Sequence, residues 1–189
     1  MEVLMERFPV PAVGENTEVR HETFEGLVRQ HGEAIYRMAY RLTGNDADAE
    51  DLAQEAILEA FRAFSRFRPG SRFDRWVYRI MTHTFIDDVR RRRRHLLESL
   101  DSPDLREPLD RAPTPEERAV RGQLSAAVHA ALAALPPEYR LTAVLIDLEG
   151  LSYEEASEMM HCPVGTVRSR LHRAREALRE QLARHLGEA

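Results

Sequence analysis

Apolar residues recur along this chain with the period of a helix. Phe24, Leu27, Val28, Ile35, Met38, Ala39 and Leu42 fall at offsets 0, 3, 4, 11, 14, 15 and 18, which is one face of a single helix. Thr23 can cap its start, and Gly44 with Asn45 and Asp46 supplies a stop and a turn. Ala49, Leu52, Ala53, Ala56, Ile57, Ala60, Phe61 and Phe64 repeat the pattern, and so short a connection predicts two antiparallel neighbours. Pro69-Gly70-Ser71 interrupts it. Phe73, Trp76, Val77, Ile80 and Met81 restart it, with helix running on towards the block Arg90 to Arg94. These signals predict a three-helix unit over residues 22–95, preceded by a loose tail over residues 1–21.

Residues 96–117 carry Pro103, Pro108, Pro113 and Pro115 among acids, with little periodicity, and read as an extended linker. Residues 118–189 form a second unit. An alanine-rich helix spans residues 120–135, and Pro137 opens a helix that runs to Leu148 and closes at Gly150. Ser152 with Glu155 three residues later makes a capping box for a short helix ending near Met160. His161-Cys162-Pro163 is a turn, and Thr166 is placed to cap a last helix reaching towards Leu186. No stretch alternates with period two long enough to be a strand. The expected fold is all-α, with two small helical domains joined by an extended acidic linker.

Length and composition agree with that division. The 189 residues suffice for one ordinary domain or two small ones, and 43% hydrophobic with 31% charged residues supplies both a core and a solvated surface. No run reaches the roughly 18 apolar residues of a membrane helix, and the start carries Glu2 and Glu6, so neither export nor membrane insertion is expected. Cys162 is the one cysteine, which excludes an intramolecular disulfide and a cysteine metal cluster; a cytoplasmic protein fits, with no metal or other cofactor. The net charge of -5 conceals segregation. Residues 33–59 hold seven acids against two arginines, residues 72–95 eight arginines against three acids, residues 96–118 seven acids against three arginines, and residues 163–186 six arginines against two acids. Clustered arginine on an acidic chain points to local polyanion contacts, because nucleic acid releases condensed counterions to such clusters.

Three constellations carry candidate chemistry. The short capped helix, tight turn and arginine-rich last helix form a helix-turn-helix candidate, whose second helix would enter a major groove. Val167, Leu171, Ala174 and Leu178 share its buried face, leaving Ser169, Arg170 and Arg173 outward with Arg168 and His172 on the flank. The same wheel also describes an amphipathic packing helix. On the third helix Arg72, Arg75, Arg79, His83 and Arg90 form a stripe beside Trp76, suited to phosphates and unstacked bases. Trp76 and Phe73 as plain core residues would give the same pattern. On the second helix Asp51, Gln54 and Glu55 make an acidic patch that fits a basic protein partner or an ordinary solvated face. Enzymatic readings find no support: Asp87 and Asp88 diverge by about 100 degrees on a helix, and no phosphate loop, nucleophile elbow or HExxH occurs.

The run Ala49-Glu50-Asp51-Leu52-Ala53-Gln54-Glu55, the segment Phe73 to Asp87 with Trp76, and Gly165-Thr166-Val167-Arg168-Ser169-Arg170-Leu171 followed by Arg173-Ala174-Arg175 carry a family resemblance. The chain resembles the extracytoplasmic-function sigma factors of bacterial RNA polymerase, SigE-like among them, from about Phe24 to Leu182. The resemblance implies a sigma-2 domain, then a sigma-4 domain, in an initiation factor for stress-response genes that is not itself an enzyme. Asp51, Gln54 and Glu55 would face the coiled coil of the beta-prime clamp of core RNA polymerase, and the sigma-4 domain the beta flap. Arg68, Ser71, Arg72 and Phe73 match the loop that captures a flipped base of the -10 element, with Arg75, Trp76, Arg79 and His83 beside it. Thr166, Arg168, Ser169, Arg170 and Arg173 would contact the -35 element of promoter DNA. An anti-sigma protein is the implied regulator. His83 departs from the asparagine usual in the family, which changes the hydrogen bonds offered to the -10 base. A helix-turn-helix regulator acting without polymerase is the competing reading; it leaves the stripe and the linker unexplained.

Overall fold

A computed structural model of the chain describes residues 15–99 and 126–187, with side chains over residues 23–95 and 126–184. Among the described residues every element is helical. α1 (Glu15–Thr43) starts eight residues before Thr23, which therefore lies inside it and does not cap it. Residues 15–21, expected in a loose tail, belong to this helix; the rest of that tail lies outside the described residues. Periodicity misses them because they offer little apolar repeat, yet no glycine or proline follows Gly14 to break a helix there. α2 (Asp46–Ala63) is capped by Asn45, whose side-chain oxygen accepts from the Asp48 amide at 2.9 Å.

Gly44 makes the tight link between these two helices. Its φ of +87° is left-handed, and an added Cβ would meet Cβ of Ala133, in the other half of the chain, at 3.0 Å. α2 passes through a 3-10 turn (Phe64–Arg66) and a loop into α3 (Phe73–Ser99). Residues 96–99 of the expected linker thus continue α3, and residues 100–117 lie outside the described residues.

The second half contains α4 (Ala126–Ala133), α5 (Pro137–Ala143), α6 (Tyr153–Met160) and α7 (Val164–Gly187). α5 continues through a wide turn (Val144–Leu148), where the Glu149 amide donates to the Val144 carbonyl at 2.9 Å. The capping box at Ser152 and Glu155 is present in both directions.

Phe24, Ile35, Met38 and Leu42 of α1, the alanine-rich face of α2, and Phe73, Val77 and Met81 of α3 bury one core. Leu141, Val144, Leu145, Met159, Val167 and Ala174 of the second half continue the same cluster, and Leu171 is buried beside them. Each large side chain so buried contributes about 1.5–3 kcal/mol. The halves also touch: α1 packs against α4 and α5, and α3 packs against α6.

Candidate nucleic-acid interface

The arginine-rich helix is launched by a turn with a strained residue. His161 closes α6 in the left-handed region at φ 48°, a conformation that favours glycine. Ser157 Oγ donates to the Cys162 carbonyl at 2.6 Å and the Cys162 amide donates to the Ser157 carbonyl at 3.2 Å, which locks the turn. α7 then begins at Val164. Thr166 is therefore not its cap but its third residue, with its amide donating to the Pro163 carbonyl at 2.8 Å.

On α7, Val167, Leu171 and Ala174 are buried, while Arg168, Ser169 and Arg173 are exposed. Arg168 lies 5.5 Å from the centre of the Tyr153 ring, and Arg173 donates to the Tyr139 hydroxyl at 3.1 Å. Ser169 Oγ donates back to the Thr166 carbonyl at 3.0 Å. Arg170, expected outward, is half-buried and turns back to the thiol of Cys162 at 3.8 Å, because the turn leaves that sulfur beside its helix face. Arg175 is pinned to Asp147 by two hydrogen bonds of 2.6 and 3.1 Å.

In the first half, Phe24, Phe61, Phe64, Phe67, Phe73 and Trp76 form one aromatic cluster. The Phe67 and Trp76 ring centres lie 5.2 Å apart, and Phe24 meets Phe73 edge-on at 5.7 Å. Phe73 is 2% exposed, so the expectation that it faces DNA is corrected: its ring anchors the loop from within the core, as the apolar period at α3 requires. Trp76 is half-buried against the same rings. From this base the segment Arg68 to Arg72 projects into solvent, turned by Gly70 and by Ser71 Oγ donating to the Arg68 carbonyl at 2.5 Å. Arg72 pairs with Asp74 at 2.6 Å. Burial pushes the Asp74 carboxyl up, but hydrogen bonds from the Arg72 side chain and the Arg75 amide outweigh it and leave the group below its ordinary range.

On α3, Arg75 and His83 are half-buried while Arg72, Arg79 and Arg90 are exposed, and three of these side chains meet the second half. Arg75 Nη2 donates to the Gly150 carbonyl at 3.4 Å, Arg79 pairs with Glu158 at 3.3 Å, and the His83 ring stacks on that of His161. Asp51, Gln54 and Glu55 of α2 are all exposed, and no arginine is recorded as pairing with Asp51 or Glu55 among the described residues.

Sequence reasoning missed the residues that join the halves. Arg41 pairs with Glu149 at 2.5 Å, both side chains mostly buried. The Arg140 guanidinium donates to the carbonyls of Leu42 (2.7 Å), Thr43 (3.4 Å), Leu135 (3.1 Å) and Ala133. These partners lie up to 108 residues apart, so no local pattern could pair them.

Two family models match separate stretches: Sigma-70 region 2 over residues 27–95, and Sigma-70, region 4 over residues 125–178. The chain is 47% identical over 166 residues to the ECF RNA polymerase sigma factor SigE of Mycolicibacterium smegmatis, covering 88% of this chain and 64% of that protein. It is 34% identical to the ECF RNA polymerase sigma factor SigW of Bacillus subtilis, covering 85% of this chain and 89% of that one. Among solved structures it is similar, at TM-score 0.68 and 28% identity over 86% of this chain and 98% of the other, to the sigma factor RpoE of Bartonella quintana in complex with the anti-sigma factor NepR.

Proposed function

The chain belongs to the extracytoplasmic-function sigma factors, and from that premise we propose that it joins core RNA polymerase and directs it to promoters bearing its own -35 and -10 elements. The observation that carries the reading is the match of two different sigma-factor regions, in order, to residues 27–95 and 125–178 of one chain. The second half offers Arg168, Ser169 and Arg173 to a -35 major groove, where arginine can bind guanine O6 and N7 with two hydrogen bonds. Thr166 and Arg170, half-buried at the start of α7, would position that surface more than read from it.

The first half offers the Arg68 to Arg72 loop to an extruded -10 base, with Trp76 and the stripe of Arg75, Arg79 and His83 to the strand around it. Unstacking a base costs a few kcal/mol, and capture in a fitted pocket offsets that cost. Asp51, Gln54 and Glu55 form the docking patch for a basic surface of the polymerase clamp. The polymerase performs the chemistry, and this chain contributes no catalytic residue. It works in the cytoplasm on stress-response promoters. An anti-sigma protein holds it in reserve, a role supported by its likeness to a sigma factor found in such a complex. Among the described residues no helix is long and apolar enough to cross a membrane.

Run-off transcription tests the proposal. Purified chain, sigma-free core polymerase and a library of upstream regions from the host should yield transcripts with defined starts. Salt-sensitive DNA binding without any such transcript would favour a regulator that acts apart from polymerase.

A further inference from the structure

The loop between the 3-10 turn and α3 carries two arginines in different company. Arg68 is exposed, and no ion pair is recorded for it among the described residues. Arg72 is held side-on by Asp74: Nε donates to Oδ1 at 3.3 Å and Nη2 to Oδ2 at 2.6 Å. The two partners are not equally free. The Asp74 side chain is 13% exposed and that of Arg72 66%. Asp74 is the acid in the first turn of α3 and accepts from the Arg75 amide there, so the helix start fixes the carboxylate and the carboxylate in turn fixes the arginine. Its pKa lies below the ordinary range, so it is charged at neutral pH.

A carboxylate in that place changes what the arginine can bind. An unpaired guanidinium is a positive charge first, and phosphate is its natural partner, with counterion release adding to the attraction. A guanidinium paired with a fixed carboxylate keeps its outer hydrogen-bond donors but little net charge, so its pull on phosphate falls while its fit to a neutral polar edge does not. The pair uses the Nε and Nη2 side of Arg72. The end of the group, where Nη1 and Nη2 present parallel N–H bonds, points away from Asp74, and no hydrogen bond from Nη1 is recorded among the described residues. Two parallel donors match two neighbouring acceptors on a base: O6 and N7 of guanine, or N3 and O2 of cytosine. Adenine and thymine place a donor beside or between their acceptors and do not offer that edge.

We propose that Asp74 is a specificity-determining residue: it holds Arg72 side-on and cancels much of its charge, so that this arginine reads the edge of the extruded -10 base while Arg68 takes phosphate. The inference rests on the sigma-factor reading for the base, whereas the tie and its electrostatic effect do not. Removing the carboxylate therefore moves two quantities in opposite senses. Affinity for any strand rises, because a released Arg72 gains a phosphate, and base preference falls, because nothing holds the guanidinium plane. A carboxylate that merely capped α3 would, on removal, weaken both or neither.

The first arm of the test uses the full chain and a fluorescein-labelled single-stranded oligothymidylate of about twenty nucleotides, titrated across a salt series. Asp74→Asn keeps the shape and can still accept from the Arg75 amide. It should bind about two- to five-fold tighter at low salt, with a salt slope steeper by about 0.7, the value of one further phosphate on a single strand. The double substitution Asp74→Asn, Arg72→Gln should lose that gain, and Arg68→Gln alone should make the slope shallower by about the same amount. Asp74→Ser, whose hydroxyl can accept from the same amide, replaces asparagine if circular dichroism shows the start of α3 disturbed. The second arm uses the holoenzyme and the promoter recovered by run-off transcription, substituted at each -10 position in turn. The unaltered chain should prefer guanine or cytosine at one position by about five-fold or more, and Asp74→Asn should reduce that preference to about two-fold or less. The proposal is overturned if the substitution leaves the salt slope unchanged or shallower, if the gain survives loss of Arg72, or if base preference at every -10 position is unchanged. Should the unaltered chain yield no promoter-specific transcript, the sigma-factor reading fails and takes the base with it, while the oligothymidylate arm still decides whether Asp74 restrains Arg72.

Discussion

The ring of His83 lies against that of His161, centres 4.7 Å apart and planes at 26°, and joins α3 to the turn of the helix-turn-helix. Burial lowers the pKa of His83 below the ordinary 6.5, and the neighbouring His161 lowers it further. The groups facing the ring are His161 and the Met159 backbone from the second half, and Arg79 and Asp87 from its own helix; Glu158 stands against Arg79. The Met159 acceptor and Asp87 oppose the shift and do not reverse it. A histidine whose pKa is depressed where it packs on the second half, and ordinary once that contact is lost, binds more protons without the contact. The packing of α3 against the α6 turn is therefore strongest above 6.5 and weakens as pH falls through that value towards the depressed one. Scattering profiles should show the particle expanding between about pH 7.5 and about pH 5.5. In His83→Asn the same change in pH should have much less effect, and an equal expansion there would remove His83 as its origin.

Phe73 and Arg68 sit five residues apart at the two ends of one loop and do different things. Phe73 is enclosed by Phe24, Phe67 and Trp76, so Phe73→Ala should cost about 3–5 kcal/mol in urea unfolding. Arg68→Ala, at an exposed position, should stay within about 0.5 kcal/mol of the unaltered chain. Its effect should appear instead in promoter opening, read by permanganate reactivity of unpaired thymines in the complex with polymerase. A stable Phe73→Ala chain would show that the aromatic cluster is not what supports the loop.

The periodic positions foretold α1, α2, α3 and the last two helices because burial on one helical face leaves a repeat that survives in one dimension. Phe24, Ile35, Met38 and Leu42 were all recovered in the core for this reason. The limits of α1 escaped, because residues 15–21 have little such repeat to read. Thr166 resembles a cap because a hydroxyl residue precedes an apolar run, yet the helix begins after Pro163, three residues earlier than a cap at Thr166 would start it. Exposure of Asp51, Gln54 and Glu55 followed from the helical wheel alone. That Arg75, Arg79 and His83 face the other half did not, since their partners lie 75 to 79 residues away in the case of Arg75 and Arg79 and no repeat encodes such a distance.

Arg140 supplies two helix ends at once. The last carbonyls of α1 and α4 have no amide partners within their own helices, and one guanidinium serves both, through Nη1 to Leu42 and Thr43 and Nη2 to Ala133 and Leu135. Burial pushes its pKa down, although the group remains charged. Arg140→Met should keep much of the packing volume but strand those carbonyls, at a cost of about 2–4 kcal/mol in thermal or urea unfolding. Arg140→Lys should recover little, because an ammonium cannot span the same fork. Full recovery by lysine would show that charge alone is what the site needs.

Asp51 separates polymerase docking from DNA reading. It is exposed on α2, and no hydrogen bond or ion pair is recorded for it among the described residues, so Asp51→Arg should leave the melting temperature close to that of the unaltered chain. Reversing its charge places like against like on a basic clamp, and retention of core polymerase in a pull-down should fall about ten-fold or more. Duplex DNA binding by the isolated second half, residues 118–189, should be untouched where that fragment proves folded by circular dichroism. Undiminished pull-down would take the α2 patch out of the docking surface.

Arg173 offers the sharpest test of the -35 assignment, because it is exposed and its recorded tie is to the hydroxyl of Tyr139, 3.1 Å away. A guanidinium held to one side must let go before it can lie flat against a guanine edge, so the tyrosine competes with DNA for it. Arg173→Ala should weaken binding to the promoter recovered by run-off transcription by about 1–3 kcal/mol and relax preference at one base pair. Tyr139→Phe removes the competing acceptor and keeps the ring, and should leave that affinity equal or slightly tighter. The signature of base reading, as distinct from phosphate contact, is that the loss in Arg173→Ala is concentrated at one position of a substituted -35 series. An even loss across all sequences, with a shallower salt dependence, would instead assign Arg173 to the backbone.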